Sequence, residues 1–120
     1  MSYIDGMVAA VPATQRAAYL AHARLFQQLV QEFGALRAVE CWGDDVPDGE
    51  VTDFRRAVQA GADEGVVLSW IEWPSRAIRD AGMQRLMQDA RMKDTPMPFD
   101  GSRMIHGGFL PILDSQGEAP

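Results

Sequence analysis

One cysteine stands in 120 residues, so no disulfide can close within the chain and the fold must rest on a packed core. Long apolar runs are missing too. None nears the roughly 20 residues that a bilayer-spanning helix needs, which predicts a soluble protein with no membrane role. Basic residues are outnumbered, since eleven Lys and Arg face seventeen Asp and Glu for a formal charge of -6. That balance argues against nucleic acid, because binding to phosphate backbones needs clustered cations to displace counterions. The opening stretch MSYIDGMVAAVPATQR has no basic segment ahead of its apolar part and holds Asp5 within it, so no secretory signal is expected. Together with the single Cys41, this predicts a reducing, cytoplasmic setting.

Motifs that would announce chemistry are also missing. There is no glycine-rich phosphate loop and no serine in a nucleophile elbow. His22, Cys41 and His106 have no metal-ligand spacing, so neither metal nor cofactor is expected. The loop DDVPDGEVTDF invites a calcium reading, but starting the calcium loop at Asp44 puts Val46 third and Arg55 last, where oxygen ligands are required. Asp44, Asp45 and Asp48 read instead as solvated turn formers bonding local backbone, with Arg55 and Arg56 offsetting part of their charge.

What is present alternates between strand and helix signals. Tyr3 to Val11 is an apolar strand that Pro12 stops. From Thr14 to Phe33, Tyr19, His22, Phe26, Leu29, Val30 and Phe33 recur at helical steps, with Thr14 suited to cap the start and Gly34 to follow the end. Leu36 to Trp42 reads as a strand, Asp53 to Val58 as one short turn of helix, and Val66 to Trp73 as a third strand ending at Pro74. Ser75 can cap a helix from Arg76 to about Ala90, whose apolar side would use Ile78, Gly82, Leu86, Met87 and Ala90. Arg76 and Asp80, and Arg85 and Asp89, sit one turn apart on its wet side. A fourth strand is expected from about Met104 to Leu113, and a mobile tail over 115–120.

The order is βαββαβ, which predicts an α+β, ferredoxin-like antiparallel sheet with two helices on one face, as one domain over 1–114. VVLSWI and MVAAV are apolar at adjacent positions, so both sheet faces should be covered. Two helices cover one, and a second copy of the chain is the economical cover for the other, which predicts a homodimer.

The segments ECWGDDVPDGEVTDFRRAV, SWIEWPSRAIRDAGM and MPFDGSRMIHGGFLPIL together resemble the YbaA-like family of small bacterial proteins, over a span from about Tyr3 to Leu113. The resemblance implies the dimeric α+β barrel superfamily, in which two ferredoxin-like subunits pack sheet against sheet. That superfamily holds cofactor-independent monooxygenases, heme-degrading enzymes, small lactone isomerases and members with no known chemistry, so it implies no one activity. In the family pattern an aromatic residue often stands where this chain has His106, which weakens a mechanism built on that histidine.

Six residues are candidates for a sheet-lined pocket. Glu40 shares a face with Trp42, and Glu72 with Trp70, and a carboxylate beside a covered tryptophan acquires a raised pKa that suits a general base. The plainer reading is that both acids are solvated near strand ends. Asp5 interrupts an apolar strand, so it points into a polar cavity or marks a wet beginning. His106 is the residue type best suited to proton transfer near neutral pH, although a lone histidine on an apolar face is more often hydrogen-bonded structure. Cys41, far from any cation, reads as an inert small hydrophobe.

Three functions follow. The first is an apolar small molecule held or converted in a pocket lined by Asp5, Glu40, Trp42, Trp70, Glu72 and His106. The second is a non-enzymatic dimeric interaction module with Asp44, Asp45 and Asp48 as a partner surface. The third and weakest is RNA binding, which requires Arg55, Arg56, Arg76 and Arg79 to form one patch.

Overall fold

A computed structural model describes residues 2–117. The chain is α+β, with a four-stranded antiparallel sheet and four helices. Strand β1 (Tyr3–Pro12) runs through a 3-10 turn into α1 (Arg16–Glu32), followed by β2 (Arg37–Trp42), α2 (Phe54–Ala57), β3 (Glu64–Trp73), α3 (Arg76–Gln88), α4 (Ala90–Lys93) and β4 (Ile105–Phe109). The strands lie in the order β2-β3-β1-β4, so β2 and β4 are the edges.

Local sequence explains most boundaries. Ser75 Oγ accepts from the Ile78 N–H at 3.2 Å and caps α3, while Asp53 accepts from the Arg56 N–H at 2.7 Å and caps α2. Gly34 has φ +116°, and a Cβ there would stand 2.6 Å from Ile78 Cγ2, so glycine serves both the turn after α1 and the approach of α3.

Other boundaries differ from expectation. Thr14 caps nothing, because Pro12 leads directly into the Ala13–Gln15 turn and leaves Thr14 inside it. Helix α3 stops at Gln88 rather than near Ala90. Asp89 is extended, with ψ 126°, and its carboxylate accepts from the Arg91 N–H to start α4. Gly82 and Leu86 are buried as expected, but Ile78 and Met87 are exposed and Ala90 belongs to α4. Arg76 pairs with Asp80 at 3.6 Å, whereas Arg85 lies over the Phe33 ring and Asp89 pairs with Arg91.

Strand β4 ends at Phe109, not Leu113. Phe109 pairs with Ile4, β1 itself begins one residue earlier, and Pro111 lacks a donor and biases the residue before it, so pairing runs out. Leu110, Ile112 and Leu113 therefore stand exposed. Of the expected mobile tail, 115–117 form a turn bridged between Asp114 and Gly117, and 118–120 fall outside the described residues.

The two-residue period sorts the strands into two faces. Tyr3 pairs with Trp73 and Asp5 with Ile71, on the face that α1 and α3 cover; Tyr3, Ile71 and Trp73 join Leu29, Val30 and Leu86 in the main core. Trp73 is fully buried, and Gly82 lets α3 lie against it: a Cβ at 82 would meet the indole at 2.7 Å. Truncating such a tryptophan costs about 3–5 kcal/mol. On the opposite face Val8, Ala10 and Val66 pack under Val58, just past α2, so the chain covers part of that face itself. Beyond this cover Leu68, Ile105 and Phe109 remain 41%, 46% and 60% exposed.

Candidate functional site

Ladder register places four side chains in one row on the helix-covered face. Glu40 pairs with Ser69, Ser69 with Met7, and Met7 with His106, from one sheet edge to the other. Helix α1 lays Tyr19 against this row, and the phenol donates to Glu40 Oε1 at 2.5 Å. The Tyr19 ring packs on Phe99, from the loop before β4, with centroids 5.6 Å apart and planes tilted by 54°. Ser69 is 2% exposed, and its Oγ is buried with no hydrogen-bond partner among the described residues.

Burial pushes both acidic protons up. The Tyr19 phenol rises well above its ordinary value, first through burial and then through its bond to Glu40 and the charge there. Ser69 lies near enough to oppose that rise weakly, though it completes no hydrogen bond. Burial likewise raises the Glu40 carboxyl, and the bond from Tyr19 only partly offsets it. No lysine or arginine pairs with Glu40 among the described residues. The corner thus holds a carboxylate without a counter-cation, an orphan hydroxyl and a phenol, with solvent reaching the half-buried Tyr19 and Glu40.

The other expected site residues divide. Asp5 is buried on the same face, but both of its oxygens are taken: Trp73 Nε1 donates to Oδ2 at 2.9 Å, and Arg79 donates to Oδ1 from Nε at 3.0 Å and Nη2 at 2.9 Å. The Arg79 guanidinium also lies over the Tyr3 ring, 5.0 Å from its centroid. Asp5 is thus neither in an open cavity nor at a wet strand start; it fastens α3 to the sheet. Two strand spacings and one register step separate it from Glu40, about 12 Å.

Trp42 also lies on the helix side, against Gly65, with Arg16 over its ring at 5.1 Å. His106 is exposed on the edge strand. Trp70 and Glu72 face the other way, where the indole donates to Glu72 at 3.0 Å and Arg37 approaches at 3.9 Å. The six residues therefore do not meet in one place, and Glu40 alone sits beside an unsatisfied polar group.

The acidic loop is ordered differently from expectation. Asp44, Asp45 and Asp48 make no side-chain hydrogen bond among the described residues. Asp53 bonds the N–H groups of Gly49 and Arg56, and the Arg56 guanidinium donates to the carbonyls of Gly49, Glu50 and Val51. A guanidinium donates to several carbonyls at once, which a carboxylate, an acceptor only, cannot do. The arginines weighed for RNA are similarly engaged: Arg56 holds this loop and Arg55 donates to the carbonyls of Gly61 and Glu64, flanking Val58 on the open side of the sheet, while Arg76 and Arg79 belong to α3 on the other side. Among the described residues no three His, Cys, Asp or Glu side chains gather as a metal site, and no helix is long and apolar enough to cross a membrane.

Tyr19 and Ser69 were legible only as pattern. Tyr19 sits in the apolar stripe of α1, and Ser69 is the lone polar residue within VVLSWI. A hydroxyl inside an apolar strand run was the one available signal.

Comparison with known proteins places this architecture in a family. A model described as "Protein of unknown function (DUF1428)" matches residues 2–101. "Uncharacterized protein YbaA" of Escherichia coli strain K12 is 58% identical over 116 residues, covering 95% of this chain and 99% of that protein, and the protein of the same name from Shigella flexneri matches equally. With the family model matching most of the chain and a relative this similar along its length, the chain belongs to the DUF1428 family of proteins of unknown function.

Proposed function

We propose that the chain binds or slowly converts a small, largely apolar molecule at the corner formed by Tyr19, Glu40 and Ser69. The observation that carries this is the Ser69 hydroxyl, buried without a partner beside a carboxylate without a counter-cation. Natural interiors rarely leave such a group unpaired, and each orphan costs about 1–3 kcal/mol. A ligand that bonds to Ser69 and Glu40 removes that cost, and the rings of Tyr19 and Phe99 offer it an apolar wall. The test is a thermal melt of the whole chain against aromatic and quinone-like compounds. Compounds that raise the midpoint of the wild type but not of Glu40→Gln support the site; silence across the screen counts against it.

A second reading concerns the other side of the sheet. The element order and the strand order β2-β3-β1-β4 support a ferredoxin-like domain over 1–114, and the exposed Leu68, Ile105 and Phe109 support a homodimer that packs open face to open face as a dimeric α+β barrel. A second copy is the fitting occupant because a two-fold axis through this face sets apolar residues against themselves. Light scattering at micromolar concentration should give twice the 13.2 kDa chain mass, reduced to a single chain by Leu68→Asp. A monomer in the wild type removes this reading and leaves the helix-side site untouched.

A further inference from the structure

We infer that the Tyr19–Glu40–Ser69 corner takes the protonated amino group of a primary amine carried on an apolar body. This rests on the ligand-binding reading above and names the chemistry of the ligand's polar end.

The inventory of donors and acceptors points to it. Tyr19 has already given its hydrogen to Glu40, so the phenol oxygen offers lone pairs. The Glu40 carboxylate only accepts, and the Ser69 hydroxyl, bonded to nothing, is free to accept as well. Three oxygens with lone pairs to offer call for a group that brings its own hydrogens, and an ammonium brings three.

The surroundings agree. Asp5, on the same sheet face, is neutralised by Arg79, whereas Glu40 has no cationic partner among the described residues. The Tyr19 ring, bonded through its hydroxyl to Glu40, packs on Phe99 at a 54° tilt, and aromatic faces attract a cation through their quadrupole. Met7, paired with Ser69 on the same face, adds an apolar contact for the body of the ligand.

Competing ligand classes fit less well. A carboxylate or phosphate would meet Glu40 with no guanidinium to receive it. A neutral carbonyl would use the Ser69 hydrogen and leave Glu40 unsatisfied. A divalent metal would find one carboxylate and two hydroxyls, short of the hard-oxygen set such ions take. Burial of Glu40 adds a pH signature: an ammonium stabilises the ionised carboxylate, so affinity should climb as pH rises through the raised Glu40 midpoint.

The experiment titrates the full chain with benzylamine, benzyl alcohol and benzoate, following amide shifts by NMR in the wild type, Glu40→Gln and Ser69→Ala. Benzylamine should bind tightest and perturb residues around Tyr19 and Phe99. Its affinity should fall about tenfold or more in Glu40→Gln, the scale of one charged hydrogen bond, and in the wild type should rise as pH climbs above the ordinary 4.5 of a glutamate carboxyl. Benzyl alcohol or benzoate binding the corner as tightly as benzylamine, or benzylamine binding Glu40→Gln unchanged, overturns the inference while leaving a ligand site in place. A thermal screen that yields neutral or anionic ligands but no amine does the same. Failure of all three probes and of the whole screen overturns both.

Discussion

The Tyr19 phenol donates to Glu40 at 2.5 Å from a helix to a strand, 21 residues apart, and directly across the ladder from Glu40 stands the unpartnered hydroxyl of Ser69. The donated hydrogen favours the ionised carboxylate, so Tyr19→Phe should push the Glu40 midpoint further up. Carboxyl carbon shifts of Glu40 followed against pH check this, and the wild-type midpoint should already lie above the ordinary 4.5. The lost hydrogen bond should also lower stability by about 1 kcal/mol.

Glu40 should weaken the fold near neutral pH. A carboxyl whose folded pKa is raised contributes its stability below the unfolded value of 4.5 and loses it as pH rises through the folded value. Glu40→Gln removes that dependence and keeps an acceptor for Tyr19. Urea denaturation at neutral pH should therefore find it at least as stable as the wild type, with no decline across the interval above 4.5 that the Glu40 carboxyl imposes.

Ser69→Ala should be neutral or stabilising by up to about 1 kcal/mol, because it removes a buried hydroxyl that bonds to nothing. A marked loss of stability in chemical denaturation would mean that Ser69 has a structural partner in solution.

Asp5 presents the opposite case. Arg79→Met should cost about 3 kcal/mol, since it strands a buried carboxylate whose side chain is 12% exposed. Gly108→Ala should weaken the same fastening from the other side: the new Cβ would overlap the Tyr3 hydroxyl and stand 2.5 Å from Arg79 Nη2. About 1–3 kcal/mol is expected, read from the shift in the urea midpoint at constant slope.

Acid sensitivity should come partly from Glu64. Two bonds from Arg103 and one from the Gly61 N–H hold its carboxyl down at about 2. A depressed carboxyl contributes stability above its ordinary 4.5 and loses it as pH falls toward 2, so Glu64→Gln should flatten the decline in that window. Asp53 and Asp100, also held low by hydrogen bonds, keep part of the acid limb in place.

The elements were legible because their signals are local: helical spacing from Tyr19 to Phe33, the Ser75 cap, Gly34 after α1, and Pro74 after β3. Strand β4 was overextended because Leu110, Ile112 and Leu113 look like strand residues, while what ends pairing is the position where β1 begins. The site was legible in part. Glu40 could be singled out as an acid in an apolar strand, but its grouping with Trp70 and Glu72 failed on parity, since strand register puts those two on the opposite face. Tyr19 and Ser69 belong to elements far apart in sequence, and only the packing of α1 on the sheet joins them to Glu40. Asp5 was visible as an interruption, whereas its partner Arg79, 74 residues on, was visible only as a surface arginine.

Mapping a bound compound on the full chain tests the helix-side site most directly. For any ligand that raises the melting midpoint, amide shifts should centre on Tyr19, Glu40, Ser69 and Phe99 and vanish in Glu40→Gln. Shifts that centre instead on Leu68, Trp70 and Ile105, across the sheet, would contradict it.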